Sequence, residues 1–137
     1  MPRVRLAAAA LVFFGACAVT SVVGAPSASA SSCQLRDETT LDSGVSRASA
    51  FLHRCWDGAQ YWWSVSGYLY DTACDNRSAY LDIYNWPGGA QPPPRASGCN
   101  TSVYYSFATY TRPGTVELRT RACNFSCSSE DRDWLYP

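Results

Sequence analysis

One histidine, seven cysteines and a sparse set of carboxylates bound the chemistry open to this 137-residue chain. Any Ser-His-Asp or Cys-His arrangement must use His53, which sits in Phe51-Leu52-His53-Arg54-Cys55 without a Gly-x-Ser-x-Gly elbow nearby. His53, Glu117 and Arg119 supply the residue types of a small ribonuclease: a base, an acid and a cation for phosphate. They are common types, and only the fold can bring them together. Asp57 follows His53 by four, as in the helical pair of secreted phospholipases, but Asp57-Gly58 reads as a turn that would end such a helix. Two carboxylates suffice for glycoside hydrolysis. Asp71, Asp75 and Asp82 lie around one turn, and Glu130, Asp131 and Asp133 lie near the C-terminus. Asp71, Asp75 and Asn76 have the oxygen chemistry of calcium ligands, but their spacing fits no EF-hand loop. None of these sets amounts to a catalytic, metal or cofactor motif, and the expectation is a domain without catalytic residues, metal or cofactor.

The cysteines are more informative. Cys33, Cys55, Cys74, Cys99, Cys123 and Cys127 make an even set of six in the chain beyond residue 30. Cys123 and Cys127 are close enough for a zinc half-site, but no second pair and only one histidine accompany them. Three disulfides are therefore expected, in any of fifteen pairings, and they imply an oxidising compartment. The N-terminus agrees. Arg3 and Arg5 precede an apolar stretch from Leu6 to Val23, and Ala28-Ser29-Ala30 has the small residues of a signal-peptidase site. Residues 1–30 read as a signal peptide cut after Ala30. A membrane anchor is the alternative, disfavoured by Gly15, Thr20, Ser21 and the lack of a basic stop signal. Phe14-Gly15-Ala16-Cys17 loosely matches a lipobox, with Phe14 replacing the usual aliphatic residue.

Residues 31–137 then form one domain, localised outside the cell. A chain of this size buries only about two-thirds of its unfolded surface, so covalent staples matter to it. With Arg3 and Arg5 removed, nine arginines face eleven Asp and Glu, and there is no lysine. A slightly acidic domain without a basic run is not expected to bind nucleic acid, nor anionic membranes after the signal is removed. Arginine as the sole basic residue, with abundant alanine, fits a GC-rich genome. Asn76-Arg77-Ser78, Asn100-Thr101-Ser102 and Asn124-Phe125-Ser126 fit the glycosylation pattern, which in a bacterium arises by chance.

Aromatic content is the most unusual feature. With Phe13 and Phe14 set aside, 17 of the 107 remaining positions are Trp, Tyr or Phe. Alternation assigns Trp62, Tyr68, Tyr70, Tyr80, Tyr84, Trp86, Tyr104 and Tyr110 to the same faces as serine and aspartate. Rings on a wet face are anchors for a partner, whereas in a sandwich they also pack. Trp62, Tyr68, Tyr70, Tyr80, Tyr84 and Trp86 are the candidate binding residues.

The elements that must position these rings are strands. Residues 31–44 are polar and read as irregular. From Val45 to Trp56, Ala48, Ala50 and Leu52 alternate as in a strand, with a short helix as the alternative. From Tyr61, the series Trp63, Val65, Gly67, Leu69 is apolar, against Trp62, Ser64, Ser66, Tyr68 and Tyr70. A turn at 71–77 leads to Ala79, Leu81 and Ile83 against Tyr80, Asp82, Tyr84 and Trp86. The stretch 87–98 holds Pro87, Pro92, Pro93 and Pro94, lacks donors, and reads as an exposed loop. Val103, Tyr105, Phe107 and Thr109, then Val116, Leu118, Thr120 and Ala122, read as a hairpin about Pro113-Gly114. These strands predict an all-β fold: a small antiparallel sandwich or partly open barrel stapled by about three disulfides.

Val65-Ser66-Gly67-Tyr68-Leu69-Tyr70-Asp71-Thr72-Ala73 with Asp75-Asn76-Arg77-Ser78-Ala79-Tyr80 resembles small secreted proteins of high-GC actinobacteria. The resemblance spans about residues 60–123; it implies an exported β-domain and carries over no site. The residues point to a secreted, non-enzymatic binding domain for extracellular carbohydrate, cell-wall polymer or protein. The alternatives are a small secreted hydrolase using His53 and a protease inhibitor presenting Arg95 from the 87–98 loop.

Overall fold

The computed structural model describes residues 32–137, so the expectations for residues 1–30, including Cys17, lie outside the described residues. Eight strands form two four-stranded antiparallel sheets packed as a sandwich. In chain order they are β1 (Ser32–Asp42), β2 (Ser46–Trp56), β3 (Tyr61–Asp71), β4 (Ser78–Tyr84), β5 (Arg95–Ser97), β6 (Thr101–Thr109), β7 (Val116–Cys123) and β8 (Asp131–Leu135). One sheet has the order β1-β2-β3-β6 and the other β5-β4-β7-β8; we call them sheets A and B. The sheets do not close into a barrel.

Alternation explains the core. Ala48, Ala50 and Leu52 of β2, with Val65 and Leu69 of β3, are fully buried and face Ala79 and Leu81 of β4 and Val116 and Leu118 of β7. The ambiguous segment after Val45 is thus a strand. One polar contact joins the sheets inside: the Thr120 hydroxyl donates to Ser46 Oγ at 3.0 Å, with both residues fully buried. All six cysteines of the domain pair, as Cys33–Cys55, Cys74–Cys99 and Cys123–Cys127, so Cys123 and Cys127 are not a zinc half-site.

Four expectations are corrected. The stretch read as irregular is a strand over most of its length, because β1 pairs with β2 from Ser32 to Asp42. Its alternation is hidden because it is an edge strand, where charge replaces apolar residues. The 87–98 stretch does contain a ladder strand: the prolines end at Pro94, and Arg95–Ser97 pair with β4 through their own backbone groups. The Val103–Ala122 hairpin does not form. Its strands lie in different sheets, β6 against β3 and β7 against β4, each turning its apolar row inward. The strands linked by Pro113-Gly114 therefore cross between sheets, with Pro113 buried. Finally, Trp86 is a core residue at 6% exposure. β4 ends at Tyr84, and Asn85 adopts a left-handed φ of 62°, so alternation no longer governs Trp86.

The turns at the strand ends are set by local polar bonds. The Asp57 carboxylate accepts from Ala59 N and Gln60 N at 2.9 and 2.8 Å, closing the β2–β3 hairpin. The buried Asp71 carboxylate accepts from Ala73 N and Gly98 N, tying the start of the β3–β4 connection to the end of β5.

Candidate functional site

The outward face of sheet A carries, along β3, Trp62, Ser64, Ser66, Tyr68 and Tyr70. Tyr104 of β6 is the cross-strand partner of Tyr68, and Ser102 and Ser106 are partners of Tyr70 and Ser66. Tyr68, Tyr70 and Tyr104 therefore gather, with ring centroids of Tyr68 6.2 Å from Tyr70 and 5.3 Å from Tyr104. Tyr68 and Tyr104 are 45% and 57% exposed. The rings are inclined to each other by 34° and 61°, forming a notched platform and not one plane.

What leaves these rings bare is the chemistry around them. Arg47 is the cross-strand partner of Tyr70, but its guanidinium turns to Asp42, with Nε and Nη2 at 3.1 and 2.8 Å from Oδ2. The Gly44 backbone N–H and then Arg47 hold the Asp42 carboxyl below its ordinary range. The other neighbours are short: Ser49 Oγ accepts from Tyr68 N at 3.1 Å. Trp62 lies further along the same face, half-buried, in a hollow of about 290 Å³ shared with Ala108, Thr109 and Tyr110.

Two rings of sheet B are dressed instead. Tyr80 and Tyr84 lie on its outward face beside Asp82. The Arg119 guanidinium lies 4.7 Å from the Tyr84 ring centroid and Arg95 lies 5.7 Å from that of Tyr80. Arg119 also pairs with Glu117 at 2.8 Å, and Arg121 with Asp82 at 2.9 Å. This face is a mosaic of rings and ion pairs.

The six candidate residues thus divide three ways. Trp62, Tyr68 and Tyr70 share sheet A with Tyr104; Tyr80 and Tyr84 lie on the opposite outer face; Trp86 is inside. The proposed catalytic sets do not assemble. His53 lies between Leu35 and Ser64 on the outward face of sheet A, while Glu117 and Arg119 belong to sheet B. Asp71 is buried and spent on backbone, Asp75 turns to Arg77, and Asp82 to Arg121. Asp131 Oδ2 and Asp133 Oδ2 accept from Asp42 N and from the Thr39 hydroxyl on β1. Arg95 starts β5 with Nη2 donating to Ser78 Oγ at 3.0 Å, not at the tip of a protruding loop. Among the described residues, no group of three or more His, Cys, Asp or Glu is placed to hold a metal ion.

A second feature escaped the sequence reading: Arg36, Arg54 and Arg112 converge on one aromatic hollow. Its signal, arginines scattered among Trp56, Tyr61, Trp63 and Tyr110, becomes visible only when register is known. Comparison of the chain with protein-family models, curated proteins and solved structures finds no match.

Proposed function

We propose that the protein is an exported, non-enzymatic binding domain that docks extracellular carbohydrate, cell-wall polysaccharide first, on the outward face of sheet A. The observation that carries this reading is the contrast between the two sheets. Tyr80 and Tyr84 each have a guanidinium beside the ring, at 5.7 and 4.7 Å from the centroid, although Tyr84 stays exposed; among the described residues Tyr68, Tyr70 and Tyr104 have no such cation and lie on an otherwise hydroxyl-rich face. Bare rings stack on the apolar faces of sugars while serine and tyrosine hydroxyls meet the sugar oxygens. An extended ligand fits the dimensions: Trp62 and Tyr70 are eight residues apart on β3, roughly 27 Å at about 3.4 Å per residue. Three disulfides accord with an oxidising environment, and the N-terminal pattern of Arg3, Leu6–Val23 and Ala28-Ser29-Ala30 supports export.

The test is retention on insoluble polysaccharide and purified cell walls. Wild type is expected to be depleted from solution, Tyr68→Ala/Tyr104→Ala to lose at least about fivefold in affinity (roughly 1 kcal/mol), and Tyr84→Ala to bind as wild type. The thermal midpoint of the double variant is expected to stay close to that of wild type, since both rings are exposed. Failure of wild type to bind across a broad glycan and cell-wall panel would reject this ligand class.

A further inference from the structure

The inner face of sheet A runs past its partner sheet at the end where β2 turns into β3. Ala48, Ala50 and Leu52 on that face are fully buried, but Arg54 is only half-buried and Trp56 is exposed. There a hollow of about 330 Å³ is lined by Arg36, Arg54, Tyr61, Trp63, Tyr110 and Arg112. The three arginines come from separate elements. Arg36 is the extra residue of the bulge in β1, where the register with β2 shifts between Leu35 and Asp37; a bulge re-aims a side chain in this way. Arg54 is the cross-strand partner of Trp63, and Arg112 lies in the β6–β7 connection.

We propose that this hollow is a binding site for an oxyanion, a phosphate or carboxylate group carried on a flat organic body. The proposal is independent of the tyrosine face. Its first support is selective pairing. Of the nine arginines in the domain, Arg47, Arg77, Arg119, Arg121 and Arg132 form ion pairs with carboxylates. Arg36, Arg54, Arg95 and Arg112 have none among the described residues, and three of these four line this hollow. Like charges gathered without an ion-pairing carboxylate repel, and a bound anion relieves them. The second support is preorganisation. The Arg54 guanidinium lies 3.6 Å above the Tyr61 ring centroid and 6.0 Å from that of Trp63, and Arg112 lies 5.9 Å from Trp63. Stacking fixes the plane of a guanidinium and leaves its N–H edge free for bidentate recognition of an oxyanion. The exposed Tyr61 and Tyr110 rings of the lining supply aromatic wall for the body of the ligand. Asp57, bonded to the lining through the Tyr110 hydroxyl, accepts from Ala59 N and Gln60 N and forms no ion pair with the three arginines.

Calorimetric titration of the folded, oxidised domain with inorganic phosphate, phenyl phosphate, benzoate and phenol tests the site. Phenyl phosphate is expected to bind more tightly than inorganic phosphate, phenol not at all, and the affinity to fall as salt rises. Comparing phenyl phosphate with benzoate identifies which oxyanion the hollow prefers. Arg112→Gln and the double variant Arg36→Gln/Arg112→Gln, both at exposed positions, are expected to weaken phenyl phosphate roughly tenfold or more. Arg54→Lys is expected to weaken it too, because an ammonium keeps the charge but not the stacked plane. Arg47→Gln, and Tyr68→Ala/Tyr104→Ala on the other face, are expected to bind as wild type. Absence of binding by every anion at millimolar concentration would overturn the proposal. So would affinity that survives in Arg36→Gln/Arg112→Gln, or that is lost in Tyr68→Ala/Tyr104→Ala.

Discussion

Tyr105 shows how a single side chain holds the face of sheet A in shape. It is the cross-strand partner of Gly67, and its hydroxyl reaches past that residue to donate to the Ser49 carbonyl on β2 at 2.7 Å. Gly67 permits this approach, since an added Cβ there would overlap the Ser49 carbonyl and lie 3.0 Å from the Tyr105 hydroxyl. The bond spans three strands directly beneath Tyr68 and Tyr104. Tyr105→Phe removes the donor and leaves a carbonyl inside the fold without its partner, so it is expected to cost about 1–3 kcal/mol in chemical denaturation. Burial also pushes the Tyr105 hydroxyl above its ordinary pKa. The folded state then keeps its proton after the unfolded chain begins to lose it, at about pH 10. Stability from this group is whole below that pH and declines as pH rises above it. A thermal midpoint that falls more steeply above pH 10 in wild type than in Tyr105→Phe is the expected result. The sequence showed Tyr105 on the apolar side of its strand, but a hydroxyl's need for a distant carbonyl is a tertiary fact that no alternation reveals.

Legibility in the elements followed burial. β2, β3, β4, β6 and β7 bury one face, and their alternating rows were readable from Ala48, Val65, Leu81, Tyr105 and Leu118. The two edge strands that meet between the sheets were not. β1 and β8 are joined by polar bonds: Asp42 N to Asp131 Oδ2 at 2.8 Å, Tyr136 N to Asp37 Oδ2 at 2.8 Å, and the Thr39 hydroxyl to Asp133. Aspartates in such a seam look like loop residues in sequence. Which strands share a sheet was also hidden, because β6 and β7 present equal apolar rows and only the crossing at Pro113 separates them. The disulfides tie these elements unequally. Cys33–Cys55 and Cys74–Cys99 close segments of 22 and 25 residues, and Cys123–Cys127 closes only 4. Loop-closure entropy gives about 3.5 kcal/mol for each long bridge and about 2 for the short one. Cys74→Ser/Cys99→Ser is therefore expected to lower the denaturation free energy more than Cys123→Ser/Cys127→Ser; the reverse order would show that native-state packing outweighs chain entropy here.

For the whole molecule, the sandwich turns one aromatic inventory into two outer faces of different character. Sequence periodicity put Tyr68, Tyr70, Tyr80 and Tyr84 on wet faces correctly, but it could not tell that these are opposite sides of the domain. Nor could it tell that arginines would stand beside rings on only one of these sides, because Arg119 reaches Tyr84 across strands that are distant in sequence. The binding reading rests on that asymmetry, and it is tested most directly by mapping contact residue by residue. Backbone amide shifts of the labelled domain are to be followed during titration with soluble cell-wall or polysaccharide fragments. The account predicts perturbations concentrated at Ser66, Tyr68, Tyr70, Ser102 and Tyr104, with Tyr80 to Tyr84 unmoved. Perturbations centred on sheet B, or none with any fragment at millimolar concentration, would contradict it.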